Sequence, residues 1–370
     1  MHTFNTIVIG AGQAGLATGY HLAQQERDFI LLDAGERVGD SWRNRWDSLE
    51  LFTPAASNAL PGMSFPAPDS HLPHKDEVAD YLETYAARFD LPVRLETRVE
   101  SVTRDHTTYR VETAGGQRFK AENVVVATGA FQAPNVPAFA GALDEAILQL
   151  HSSEYRNPDQ LQDGPALVVG AANSGTQIAL ELAETRHVWL SGRDVGRVPH
   201  ILPGHTILWL LWKMFLRVPL NSWLGSWIKA NVDSGGDPVV GITQEEIQSA
   251  DIERVPRTDG TRGGRPMLGD GRTLAAANVL WATGFVPDYT WIDLPIFRED
   301  GYPQHRRGVV EEEPGLYFVG LEHQHRLDSS HIGGVGDDAH YVVEHLVART
   351  PTTERAVLKP AAPRYSTLHP

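Results

Sequence analysis

Twice in this chain a short apolar strand runs into a glycine-marked turn that opens a helix. The first copy reads "TIVIGAGQAGLATGYHLAQQERDFILLDAG" and the second begins "ALVVGAANSGTQIALELAE". In the first, Ile7–Ile9 is a short buried strand, Gly10, Gly12 and Gly15 mark the turn, and a helix continues to about Gln25. A second strand, Phe29–Leu32, ends at Asp33. Strand, turn, helix, strand and acid fall at the offsets of a dinucleotide-binding unit. Such glycines let the backbone approach a pyrophosphate, and the helix N-terminus offers N–H donors and a partial positive charge. A carboxylate at Asp33 can accept hydrogen bonds from a ribose diol.

The second copy repeats the plan with one substitution. Strand Ala166–Val169 leads to Gly170, Ala172 and Gly175, a helix to about Glu184, and a strand within "HVWLSGRD". Ala172 adds a methyl where the middle glycine stands in the first copy. A small shift of the phosphates absorbs it, and the N–H donors remain, so this site reads as working. Asp33 lies 23 residues after Gly10, and Arg193 lies 23 residues after Gly170. An acid repels a 2′-phosphate, whereas an arginine binds one through its planar fork. The first site therefore suits FAD or NAD and the second NADPH. A solvated surface arginine is the plainer alternative for Arg193.

Two further stretches, "NVVVATGAFQAPNVP" and "NVLWATGFVPDY", each close one half. A hairpin is expected before each, around Val99–Phe119 and Ile252–Leu274. "GLYFVGLEHQHRLDSSHIGGVGDDAHYVVEHL" reads as strand, loop and long helix with no counterpart in the second half. It is expected to return to the first sheet. The predicted fold is α/β, with two dinucleotide-binding, Rossmann-like domains, the NADPH domain inserted into the FAD domain. Residues 1–160 and 290–350 form the FAD domain, 161–289 the NADPH domain, and 351–370 a C-terminal tail.

The formal net charge of −15 argues against nucleic acid as a partner. With no cysteine, structural disulfides, Fe–S clusters, thiolate zinc sites and dithiol relays are all excluded. The histidines of "EHQHRLDSSH" match no standard zinc spacing and read as a loop near the cofactor. The start, "MHTFNTIVIGAGQAG", has no basic n-region or apolar h-region, and a cytoplasmic location is expected. The segment 205–230 holds the most apolar run of the chain, but Lys213, Arg217 and Pro219 interrupt it, so it is too short to span a bilayer. Peripheral membrane contact, a pocket lid, and burial against a second subunit or the first domain are its three readings.

The pieces "GAGQAG", "GDSWRNRWDSLELFTP", the two "ATG" strands and "NSG" resemble those of bacterial flavin-containing monooxygenases, class B flavoproteins that hold FAD and NADPH on one polypeptide. A family linker pattern, F-x-G-x-x-x-H-x-x-x-Y, is met as Phe139-x-Gly141 and then His151-x-x-x-Tyr155, with nine residues between Gly141 and His151 instead of three. The resemblance implies that Gly10, Gly12, Gln13, Ala14 and Gly15 cradle the FAD pyrophosphate and Asp33 its ribose. It places Trp42 and Arg43 along the cofactor, the Val99 backbone at the adenine, and Leu51 and Phe52 near the isoalloxazine. Thr128, Gly129 and Gly320 are further expected cofactor contacts. Gly170, Asn173, Ser174 and Gly175 would hold NADPH, with Arg193 on its 2′-phosphate. Plain core packing is the alternative for Trp42 and Phe52.

The implied activity is hydride transfer from NADPH to FAD, then a C4a-(hydro)peroxyflavin formed with O₂ that oxygenates a small soft nucleophile or ketone. It requires no catalytic side chain and no metal. The rivals are an NAD(P)H-dependent flavoprotein reductase passing electrons to a quinone or ferredoxin, and a non-catalytic FAD-binding protein.

Overall fold

The computed structural model describes residues 2–200, 211, 214–235 and 238–349. The expected tail at 351–370 and part of the Trp-rich segment lie outside the described residues.

The chain starts as β1 (His2–Ile9), α1 (Gln13–Gln24) and β2 (Phe29–Leu32), then a one-turn helix α2 (Asp40–Arg43), α3 (Lys75–Arg88) and β3 (Val93–Arg94). A meander follows: β4 (Val99–Asp105), β5 (Thr108–Thr113) and β6 (Arg118–Val126). The strand order is β3-β2-β1-β6-β5-β4. The last four residues of β1 and of β6 are buried, which is why both read as unbroken apolar runs. Small residues bring α1 close to the sheet: a Cβ on Gly19 would sit 3.3 Å from a Leu31 methyl. His74 opens α3 with a capping box shared with Glu77, and Val78, Tyr81, Leu82 and Tyr85 face the core.

The inserted half contains β7 (Ala133–Pro134), β8 (Leu148–His151), β9 (Ala166–Val169), α4 (Asn173–Ala183), β10 (Val188–Ser191) and β11 (Arg197–Val198). It continues with α5 (Trp223–Gly235), β12 (Val239–Val240), α6 (Gln244–Ser249), β13 (Glu253–Val255), β14 (Thr258–Arg262), β15 (Arg265–Leu268), β16 (Asn278–Trp281) and β17 (Phe285–Val286). Its all-parallel sheet runs β13-β10-β9-β16-β8. This corrects the expected boundary at 160/161. Leu148 pairs with Asn278 and His151 with Trp281, so the second sheet already includes β8. The four residues "LQLH" carry no apolar run that would mark a buried strand. Tyr289, Ile292 and Ile296 lie in a core of the first half. The two crossing points are tied together, because β7 pairs antiparallel with β17.

The chain returns as β18 (Leu316–Phe318) and α7 (Val335–Arg349). β6 is shared lengthwise: its first part pairs with β5, and from Val124 onward it pairs with β18. α7 then covers α1, with Val335, Ala339, Val342, Val343 and Leu346 buried. Among the described residues no helix is long and apolar enough to cross a membrane. In the Trp-rich segment Leu211, Met214, Phe215, Trp223, Leu224 and Trp227 are exposed, whereas Leu220 is buried and its N–H donates to His325 O at 2.8 Å.

Candidate active site

The two glycine turns share one geometry. Gly10 and Gly170 have φ of +102° and +114°, a region that side chains rarely adopt. Their N–H groups donate at 2.8 Å to Leu32 O and Ser191 O, the last residues of β2 and β10. A Cβ on Gly15 or Gly175 would overlap the carbonyl oxygen of Gly10 or Gly170. The middle position is different in kind. Gly12 has φ −76° and ψ −168°, and Ala172 has φ −83° and ψ −169°, ordinary extended backbone that alanine accepts. A Cβ on Gly12 would meet no protein atom within 4 Å, so the turn faces open space. Neither α1 nor α4 has a side-chain cap or an acid in its first turn. Their orphan N–H groups are left for a ligand anion.

The residues at the second strand ends differ from the expectation. Register pairs Ile9 with Leu32 and Val169 with Ser191, so the structural counterpart of Asp33 is Gly192, and Arg193 stands one residue further on. The equal spacing of 23 residues conceals a second copy that is one residue shorter between turn and strand end. Asp33 accepts from Ala11 N–H at 2.6 Å and from Gly35 N–H at 2.8 Å, which locks the first turn. Gly192 has φ +147° and supplies no such carboxylate, and Arg193 is exposed.

Other expected residues separate into those that face the site and those that hold it. Gln13 Nε2 donates to Ser330 O at 3.3 Å, joining α1 to the loop before α7. Gly320 packs against Ala14, since a Cβ there would lie 2.7 Å from the Ala14 methyl. Gln132 Nε2 donates to Thr128 Oγ1 at 3.1 Å and Gly129 O at 3.0 Å. Val99 is the half-buried first residue of β4, and Ser174 is half-buried in the first turn of α4. Trp42 rests half-buried on the first core.

Three expected residues are held by protein partners or by the core. Arg43 donates to Val38 O at 2.6 Å, Glu83 at 2.9 Å and Asp80 at 3.0 Å, so its guanidinium clasps α2 to α3. Asn173 is engaged by the strand beside it, accepting from Val240 N–H at 2.8 Å and donating to Pro238 O at 3.2 Å. Leu51 turns into the core while its neighbour Phe52 points the other way, as successive residues of extended chain do.

Phe52 lines a cavity of about 220 Å³ between the halves. One wall is the stretch Phe52–Ala59, a second is Pro199, Leu216, Arg217 and Val240 of the inserted half, and a third is Asp328, His331, Gly333 and Gly334. The third wall is closely packed: a Cβ on Gly333 would overlap Ser57 O, and one on Gly334 would overlap Asp328 O. The His331 ring stands edge-on to Phe52 at 6.0 Å. Burial raises the proton affinity of Asp328, and the Arg326 guanidinium 3.1 Å away partly opposes this. Sequence reasoning marked this stretch only as a loop near the cofactor. An acid between an arginine and a histidine, just before a Gly-Gly helix start, was the signal for Asp328.

The linker residues fasten the inserted half. Phe139 meets Trp281 edge-on at 5.9 Å, His151 Nε2 lies 3.0 Å from Gly284 O, and the buried Tyr155 hydroxyl donates to Glu181 at 2.6 Å. The Arg45 guanidinium lies 5.5 Å from the rings of both Phe131 and Phe285 where the chain crosses between halves.

Comparison with known proteins agrees with this architecture. A profile of the pyridine nucleotide-disulphide oxidoreductase family matches residues 7–197. A protein of Geobacillus kaustophilus described as an uncharacterized CzcO-like oxidoreductase is 45% identical over 94% of this chain and 99% of its own length. A probable indole-3-pyruvate monooxygenase of Arabidopsis thaliana, YUCCA9, is 30% identical over 85% of this chain and 83% of its own length. The fold matches the flavin-containing monooxygenase of Stenotrophomonas maltophilia with a TM-score of 0.79, at 24% identity, over 94% of this chain and 99% of that one. This chain belongs to the pyridine nucleotide-disulphide oxidoreductase family, is an oxidoreductase, and has the fold of the flavin monooxygenases.

Proposed function

We propose that this enzyme is an FAD-dependent, NADPH-using monooxygenase that transfers one oxygen atom from O₂ to a small soft nucleophile or a ketone. The reading is carried by one observation. Each half carries an open glycine turn at a helix start, and both halves wall one apolar cavity, in a chain without cysteine. Disulfide chemistry, which the family name includes, needs a dithiol that is absent here. The Arabidopsis relative named as a monooxygenase, covering most of the chain, supports oxygen transfer.

The residues fit a flavin dinucleotide. Gly12 has empty space before it, and the N–H groups of Gln13, Ala14 and Gly15 at an uncapped helix start suit a pyrophosphate. Asp33 keeps lone pairs for a ribose diol beyond its two backbone partners. In this reading Thr128, Gly129, Trp42 and the Val99 backbone are further contacts of the same ligand. Gly170, Ser174 and Gly175 would hold the nicotinamide cofactor's pyrophosphate at α4. When bound, FAD accepts two electrons from NADPH and reacts in its reduced form with O₂.

The protein's share is positioning and exclusion. The Phe52 wall and the glycine-locked Gly333–Gly334 wall set the width of the cavity and keep water from the reacting atoms. Gln13 couples the pyrophosphate turn to the loop bearing His331. Asp328 lines the cavity, and its burial raises its proton affinity against the opposing pull of Arg326. The test is a product screen of thioethers, amines and cyclic ketones with NADPH under isotope-labelled dioxygen. Labelled product supports the reading. NADPH consumption with no labelled product for any of them, but rapid quinone reduction, contradicts it.

A further inference from the structure

The cavity between the halves is apolar along Phe52, Pro54, Leu216 and Val240, yet two charged side chains, Asp328 and Arg217, stand on its wall. Asp328 is already committed. Its carboxyl lies 3.1 Å from Arg326 Nε, and Arg326 is itself fixed by Asp337 at 2.7 Å and by Gly334 O at 3.1 Å. Arg217 is placed differently. It comes from the inserted half and is exposed to solvent as well as to the cavity, so it stands at the mouth. Among the described residues no hydrogen bond or ion pair engages its guanidinium, and its pull on Asp328 comes second to that of Arg326. Its backbone is anchored nearby. Three residues on, the N–H of the buried Leu220 donates to His325 O at 2.8 Å, which ties this segment to the loop bearing Asp328 and His331.

An uncommitted guanidinium at the mouth of an apolar cavity favours one class of ligand. An apolar body gains by leaving water for the cavity, and a carboxylate left at the rim meets a planar fork of N–H donors. The nearby charge of Asp328 repels a phosphate dianion more than a carboxylate, which carries a single charge. We propose that Arg217 is the specificity-determining residue of this cavity, and that the substrate is an amphiphilic carboxylic acid with its apolar part between Phe52 and Val240 and its carboxylate on Arg217. The inference rests on the reading that this cavity receives the substrate. It narrows the soft nucleophile or ketone to one that also carries an acid group.

The test is calorimetric titration of the full-length, FAD-loaded protein with (phenylthio)acetate and with its neutral amide, without NADPH, so that no turnover is needed. The wild type should bind the acid about 10-fold more tightly than the amide, the lower end for a charge-assisted hydrogen bond because the mouth is open to solvent. Arg217→Gln should abolish that preference while the amide keeps its affinity. Arg217→Lys should keep part of it, because the charge stays and the fork is lost. Val240→Phe narrows the cavity and should weaken acid and amide alike. Equal binding of the two ligands by the wild type, or binding of neither, overturns the proposal, as does an acid preference that survives Arg217→Gln. Acid binding unchanged in Val240→Phe places the ligand outside the cavity and overturns it too. If the acid binds through Arg217 but yields no labelled sulfoxide with NADPH under labelled dioxygen, the oxygen-transfer reading fails for this ligand and the carboxylate seat stands.

Discussion

The middle residue of each turn offers a test in which stability and ligand binding separate. Gly12 has φ −76°, and a Cβ there would meet no protein atom within 4 Å. Gly12→Ala therefore has no steric cost in the free protein. It loses a good N-cap, worth up to about 1 kcal/mol, and gains about 0.4–1 kcal/mol from a less disordered unfolded chain. The two nearly cancel, and the melting temperature of the flavin-free protein should move by less than about 3 °C. The added methyl occupies the place where a pyrophosphate comes closest. Displacing it from one charge-assisted hydrogen bond costs about 1.5–3 kcal/mol, or roughly 10- to 150-fold in the Kd for FAD. Gly10→Ala is the contrast, because φ +102° and a Cβ 2.6 Å from Ala127 O make it strained with or without ligand, by about 1–3 kcal/mol. The assay is thermal melting of the flavin-free variants followed by fluorescence titration with FAD. Equal melting losses in both variants, or unchanged FAD affinity in Gly12→Ala, would refute the reasoning. In the second turn Ala172→Gly should bind NADPH several-fold more tightly.

Two other outcomes follow from the described contacts. Tyr155→Phe leaves Glu181 without the 2.6 Å hydroxyl donor and should cost about 1–3 kcal/mol in urea unfolding, with flavin content unchanged. Burial lowers His21 and His305 each to about 4, below the 6.5 of a free histidine. The folded state favours their neutral forms, so this stability is full above pH 6.5 and is lost as the pH falls towards 4. The urea midpoint should drop across that window and drop less in His21→Gln; a midpoint that is flat or rises on acidification is the contrary result.

The shape of both glycine turns was legible in the sequence, because each needs glycine at a position that only glycine can fill: Gly10 and Gly170 for φ, Gly15 and Gly175 for contact with the carbonyl before them. The return of the last strand to the first sheet was legible too, since Leu316–Phe318 is an apolar run with no partner in the second half. What was lost lay in relations across the fold. A count of 23 residues treated Arg193 as the counterpart of Asp33, and only the register of β9 and β10 shows the missing residue. Strand β8 is four residues without an apolar run, so its place in the second sheet depends on β16 and not on its own pattern. The partners of Arg43, Asp80 and Glu83, come from a helix some 40 residues away, so its local turn did not announce them.

The proposed oxygen transfer requires electrons to pass from a nicotinamide cofactor in the inserted half to a flavin in the first. The direct measurement is rapid mixing of the FAD-loaded enzyme with NADPH in the absence of oxygen, followed by the flavin's visible absorbance. Prompt bleaching, slowed many-fold in Gly175→Ala, whose Cβ would collide with the Gly170 carbonyl, is the expected result. A flavin that stays oxidised with excess NADPH, or one that bleaches equally fast in that variant, would contradict it.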